Sequence, residues 1–220
     1  MRKIGVGVTS FNRPECLGYF KFQLEKNPPA SRFVTHYAEN IPNVALAKNH
    51  NLVELFEKQE CDAVFLFDDD CFPVLPDWDL PFLTSGFHHC LLMNENYLPA
   101  QRLDSYTRYR DAAGCFMYIT RELWSSIGYF NEKYSQYGYE HLGYSTRARQ
   151  ATKDWGFICL NETSKYIYSL DLDGSANYSD KVHHSSCLDR SLMERLKKEN
   201  HPIFIEEITQ DELFYGTSLL

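Results

Sequence analysis

The chain has 220 residues, 44% of them hydrophobic and 24% charged, and a formal net charge of −8. That is enough for one globular domain with a substantial core, and the acidic balance argues against broad attraction to nucleic acid or anionic membrane. Seven cysteines, odd in number and without a CxxC pair, argue against a disulfide framework or zinc knuckle and read as reduced thiols of a cytoplasmic protein.

Ile4 to Thr9 predicts a buried first strand. Its apolar stretch is too short for a signal peptide and soon meets Asn12-Arg13-Pro14. The loop Ser10 to Pro14 leads into a helix from Glu15 to Lys26, with Pro14 at its first turn. Arg32 to Tyr37 reads as a second strand. Val44 to Lys58 reads as a helix carrying Ala45, Leu52, Val53 and Phe56 on one face. Asp62 to Phe67 is the next strand, and this alternation of strand and helix is the doubly wound α/β pattern.

Pro73, Pro76 and Pro81 then interrupt the chain. Cys90 to Met93 reads as a short strand, 96–110 as a loop region, Gly114 to Ile119 as a strand and Arg121 to Ile127 as a short helix. A helix is expected to start near Glu140 and run to Thr152. Late strands follow at Phe157–Leu160 and Tyr166–Tyr168, then a polar loop at 171–180, a charged helix from Ser191 to Asn200, and a tail. No segment approaches the roughly 20 apolar residues of a transmembrane helix.

The chemistry starts at Asp68-Asp69-Asp70, which directly follow the run Ala63-Val64-Phe65-Leu66-Phe67. A continuous apolar run suggests a strand covered on both faces, and open α/β sheets bind ligands at the carboxyl ends of such strands. In extended backbone Asp68 and Asp70 face one side and Asp69 the other. Converging carboxylates call for something positive between them, and a hard divalent cation carrying a diphosphate is the natural candidate. Taken alone, the three residues also fit a solvated acidic turn.

Further constellations accompany them. The loop after the first strand carries Thr9, Phe11, Asn12 and Arg13, which offer backbone groups, an aromatic face and a cation. Lys48 and Asn49 sit one helix before the aspartates. Gly114-Cys115-Phe116 opens a strand, Arg121-Glu122-Leu123-Trp124 and Gly128-Tyr129-Phe130-Asn131-Glu132 follow, and Tyr139-Glu140-His141 precedes Ser145 and Arg147. In this order and spacing the chain resembles the family 2 glycosyltransferases and their relatives with the GT-A fold. The resemblance spans residues 4–14, 44–73 and 112–149. It departs at His141, where the family's acidic pair usually has Asp, and at Tyr129, where it usually has Gly.

The resemblance implies a Rossmann-like, mostly parallel central sheet flanked by helices. It implies one domain over 1–205, with a donor-binding half to about residue 73, an acceptor-binding half over about 74–190, and a tail at 206–220. It further implies a UDP- or GDP-linked sugar as donor and Mn²⁺ or Mg²⁺ as cofactor. Asp70 is the expected metal ligand, with His183 or His184 as a further one, imidazole suiting Mn²⁺ better than Mg²⁺. Asp68 and Asp69 join Thr9, Phe11, Asn12, Arg13, Lys48 and Asn49 on the donor side, where Lys48 or Arg13 adds positive charge as the diphosphate departs. Glu140 is the expected base toward an acceptor hydroxyl, beside Gly114, Tyr139 and His141 on the acceptor side, with inversion by analogy. Gly114 is expected to leave room for substrate.

The acceptor is left open among a glycan, a lipid-linked sugar, a protein or nucleic acid. Arg102, Arg108 and Arg110 beside Tyr106 and Tyr109 would suit a phosphate-bearing acceptor, though a solvated loop is the plainer reading. Rival classes are a nucleotidyltransferase, which would want a Gly-rich phosphate loop after the first strand, and an aspartate-nucleophile phosphatase, which Cys71-Phe72 does not fit. A catalytically inactive sugar- or nucleotide-binding protein of the same fold is the third.

Overall fold

The computed structural model describes residues 2–93, 97–170, 190–210 and 213–220. Its centre is a five-stranded sheet. The strands are β1 (Lys3–Ser10), β2 (Arg32–Glu39), β3 (Ala63–Asp68), β5 (His89–Leu91) and β8 (Phe116–Thr120), in the order β2-β1-β3-β8-β5. β1 pairs parallel to both β2 and β3, while β8 runs antiparallel to β3 and β5. The expected doubly wound α/β architecture is therefore present, with one reversed strand.

The reversal matters for the site. It brings the start of β8 to the same edge as the carboxyl ends of β1 and β3, and Asp68 N–H donates to Cys115 O at 2.9 Å.

The apolar run of β3 explains why both faces are covered. Phe65 and Phe67 pack on one side with Ile4, Val6, Phe20, Trp78 and Phe116. Val64 and Leu66 pack on the other with Leu52, Leu55, Phe56, Met117 and Ile127. Helix α1 (Pro14–Lys26) covers the first face, with Pro at its first turn. Helix α2 (Val44–Leu52), which continues as a π-helical segment Val53–Lys58, covers the second. Asn43 caps α2 by accepting from Leu46 N–H at 2.8 Å. α2 lies so close to β1 that a Cβ on Gly7 would be 2.8 Å from Asn51 Cβ.

Smaller elements make up the rest of the described residues: β4 (Cys71–Pro73), α3 (Leu80–Thr84), β6 (Pro99–Arg102), β7 (Tyr106–Tyr109), α4 (Arg121–Ile127), α5 (Glu140–Thr152), β9 (Phe157–Leu160), α6 (Thr163–Tyr166), β10 (Ile167–Ser169) and α7 (Arg190–Thr209). β6 and β7 correct the expectation of loop over 96–110. They are four-residue strands without an apolar run, made regular by pairing with each other and with β9. Tyr166 belongs to α6 rather than to the late strand.

α7 overruns its expected end at Asn200, continues through Pro202, and contains the place where the tail was expected to begin. Its second half is held by partners distant in sequence. Arg147 Nε donates to Glu207 Oε1 at 2.6 Å, with both side chains fully buried. The same guanidinium donates to the carbonyls of Ile127, Tyr129 and Leu213. The segment beyond α7 is docked too, Tyr215 bridging to Gly128. Among the described residues no helix is long and apolar enough to cross a membrane.

Candidate active site

A cleft of about 640 Å³ opens at the carboxyl ends of β1 and β3, lined by Thr9, Phe11, Arg13, all three aspartates, Gly114, Tyr139, Glu140 and His141. β3 ends at Asp68, so strand alternation does not govern the aspartates as expected. The chain turns, and Asp69 and Asp70 converge on one guanidinium. Arg13 lies 3.1 Å from Asp69 Oδ1 and 2.8 Å from Asp70 Oδ2. Asp68 instead sits 3.8 Å from Lys48 Nζ.

The positive partners required by clustered carboxylates are thus supplied by the chain itself. Burial pushes the Asp69 carboxyl up to about 7, against Arg13 and the Ser10 hydroxyl, which donates to it at 2.7 Å. Burial alone would lower Arg13, but Asp70 and Asp69 more than offset it and keep it charged.

A second ionic cluster adjoins the first through Asp68. Lys48 is almost fully buried and reaches Glu140 Oε1 at 3.4 Å, Asp68 at 3.8 Å and the Gly114 carbonyl at 3.1 Å. Burial would lower its pKa, yet Asp68 and Glu140 raise it. Burial would likewise raise Glu140, but His141 and Lys48 hold its carboxyl well below the usual range. Glu140 is therefore a tightly held anion, and its expected role as base meets a physical obstacle: it gives up a proton readily and takes one back poorly. His141 Nδ1 lies 3.2 Å from the same Oε1.

Gly114 does not hold a space open for ligand. A Cβ there would lie 2.5 Å from His141 Cγ, so the imidazole fills that space.

Other expected residues sort differently. Asn12 takes a left-handed φ of 54° and its N–H donates to Asn40 Oδ1, outside the cleft lining. Asn49 is buried and braces the Phe130–Glu132 loop, donating to Phe130 O and Glu132 Oε1 and accepting from Phe130 N–H. Tyr139 lines the cleft while stacking on Phe204 of α7 at 5.2 Å. Trp124 stacks on Phe56 at 4.8 Å and belongs to the core. His183 and His184 lie outside the described residues.

Three contributors escape sequence reasoning. Ser10 orients Asp69, Lys197 lines the cleft from α7, and buried Asn200 bonds the carbonyls of Tyr137 and Gly138 and Ser135 N–H. Asn200 sits in a charged helical stretch that carries no signal of that task.

Residues able to hold a cation are present in part. Among the described residues Asp70 Oδ1 is buried at the cleft without a hydrogen-bond partner, which suits a ligand oxygen for a cation. Among the described residues no three His, Cys, Asp or Glu side chains converge on one such position. A cation bound through one carboxylate plus substrate phosphates needs no such cage.

Comparison with known proteins bears on the fold. A mutant of Drosophila β1,4-galactosyltransferase 7, solved with manganese, UDP-Gal and xylobiose, superposes with a TM-score of 0.56 over 90% of this chain and 81% of its own, at 16% identity. This chain has the GT-A glycosyltransferase fold. GalNAc-T7, solved with UDP, GalNAc and Mn²⁺, gives a TM-score of 0.55 at 11% identity, over 94% of this chain and 48% of that one. In sequence, the GT-A chain is 31% identical over 164 residues to an uncharacterised glycosyltransferase of Acanthamoeba polyphaga mimivirus. The match takes in 68% of this chain but spans only 57% of that relative's length. No family model matches.

Proposed function

We propose that this chain transfers a sugar from a nucleoside-diphosphate sugar to an acceptor hydroxyl, with inversion at the anomeric carbon. The observation that carries the reading is that two charged clusters, joined through Lys48 and Asp68, meet at one cleft. Asp68, Asp69 and Asp70 line it, Asp70 Oδ1 being buried without a hydrogen-bond partner among the described residues, and Glu140 and His141 line it beside them, with Lys48 behind. The neighbours named above, solved with manganese and UDP or UDP-Gal, favour UDP as the nucleotide and Mn²⁺ as the cation.

Asp70, with His183 or His184 as a further ligand, would hold the cation. When bound, it would neutralise the diphosphate leaving group. Phe11 and Thr9 flank the nucleotide side. Arg13, held between Asp69 and Asp70, would add positive charge where the diphosphate leaves. Lys48 is too deeply engaged to move and acts by fixing Asp68 and Glu140. The same-fold binding protein without activity is the alternative, and the nucleotidyltransferase reading is disfavoured because Gly5 and Gly7 are strand residues packed under α2 rather than a phosphate loop. The described cysteines are buried and none of them is in a disulfide, which favours the cytoplasm.

The test is a thermal-shift screen of nucleoside diphosphates and their sugars with and without Mn²⁺, followed by assay of nucleotide release. A shift with UDP that requires Mn²⁺, and turnover of a UDP-sugar, are expected. Binding without turnover of any donor would favour the inactive alternative, and no binding would end the proposal.

A further inference from the structure

We infer that His141, not Glu140, accepts the proton from the acceptor hydroxyl, and that Glu140 and Lys48 are positioning residues acting through it. The inference rests on the transferase reading above and assigns the proton to a different atom.

The first ground is the state of Glu140. Its Oε1 is shared between the Lys48 ammonium at 3.4 Å and His141 Nδ1 at 3.2 Å, and its side chain is 7% exposed. A carboxylate with a buried cation beside it has little basicity left to offer.

The second ground is the tautomer of His141. A carboxylate oxygen can only accept, so neutral His141 carries its proton on Nδ1 and leaves the lone pair on Nε2. Among the described residues the only hydrogen bond of this ring is the one through Nδ1. The ring itself lines the cleft and its side chain is 24% exposed.

The third ground is the seat. The imidazole rests against the bare Cα of Gly114, whose carbonyl accepts from Lys48. One residue therefore fixes both the ring's position and the cation that restrains its orienting carboxylate. A His–carboxylate pair of this kind keeps the tautomer and stabilises the imidazolium that forms.

In the step, the acceptor O–H bond breaks and its proton goes to His141 Nε2. The acceptor oxygen forms the new bond to the anomeric carbon. The bond from that carbon to the diphosphate oxygen breaks, and its electron pair leaves with the nucleoside diphosphate. The imidazolium sits against the Glu140 carboxylate until it releases the proton to solvent in the cleft.

Two measurements test this. In ¹⁵N-histidine NMR of the wild-type protein, His141 should show a protonated Nδ1 and a bare Nε2, and Glu140→Gln should shift the balance toward Nε2–H. In nucleotide release from the UDP-sugar giving the largest thermal shift, His141→Ala should lower kcat by about 10²-fold or more with donor KM within about twofold, and added imidazole should restore about tenfold. Glu140→Gln in the His141→Ala background should cost no more than His141→Ala alone. Nε2–H in the wild type, or a His141→Ala variant within about threefold of wild-type kcat, overturns the inference while leaving the transferase reading intact if UDP and Mn²⁺ still stabilise the protein. Loss of that stabilisation in the wild type would end both.

Discussion

Gly114 and His141 are fitted to each other: the bare Cα of one is the wall against which the ring of the other rests, and a Cβ at 114 would stand 2.5 Å from His141 Cγ and 2.7 Å from Nδ1. Gly114→Ala should displace the imidazole without touching the aspartates. Turnover is expected to fall by about tenfold or more with the UDP–Mn²⁺ thermal shift unchanged. A wild-type kcat in this variant would mean that the ring's place is irrelevant.

Asp70 offers one carboxylate oxygen to Arg13, and the other is buried without a hydrogen bond among the described residues. Asp70→Asn keeps an acceptor for Arg13 but removes the charge a cation needs. Calorimetric titration with Mn²⁺ in the presence of UDP should show affinity reduced by about tenfold or more. Equal affinity would move the cation site elsewhere.

His183 and His184 are proposed ligands on the family resemblance and on the softness of imidazole nitrogen. Replacing both with Ala should weaken Mn²⁺ more than Mg²⁺, since imidazole is the softer donor. Paired titrations with the two ions read the difference, and parallel losses would speak against nitrogen ligation.

His89 is held neutral by the fold. Its Nδ1–H donates to Tyr118 O at 2.9 Å, and Nε2 accepts from the Ser145 hydroxyl at 3.0 Å. Burial lowers its pKa from 6.5 to about 4. As pH falls, the unfolded chain takes up this proton before the folded one does. The contribution is therefore fully present above about pH 6.5 and is lost as pH drops toward 4, by up to about 3 kcal/mol. Urea unfolding across that window should show a shallower pH slope in His89→Gln than in the wild type.

Arg147 and Glu207 form a fully buried pair. Glu207→Gln leaves an uncompensated guanidinium and should cost about 3 kcal/mol, or about 6–12 °C in Tm for a chain of this size. The double change Arg147→Met with Glu207→Leu removes both charges and should be milder. A single variant as stable as the wild type would contradict the anchoring role.

The first half of the fold was legible because its signals are local. β1 and β3 announce themselves as apolar runs, and Pro14 marks a helix start. The aspartates were legible as a group, but not in their pairing, because the strand stops at Asp68 and periodicity stops with it. Lys48 and Asn49 look equivalent in sequence. One residue along a helix is a rotation of about 100°, which sends Lys48 to Glu140 and Asn49 to Phe130. β7, on which β6 pairs, and the far half of α7 depend on partners dozens of residues away, and short polar segments carry no trace of such partners. Arg147, singled out as part of a functional motif, is instead a buried anchor.

The wall that carries Glu140 and His141 begins α5, and α5 is keyed through Arg147 to Glu207 and Leu213, 60 and 66 residues further on. During synthesis, the strands and helix that carry the aspartates can pair long before those residues leave the ribosome. The nucleotide side would thus assemble early and the part carrying Glu140 and His141 late, so a nascent chain paused before residue 207 would possess a platform for the donor without a finished place for the hydroxyl it serves.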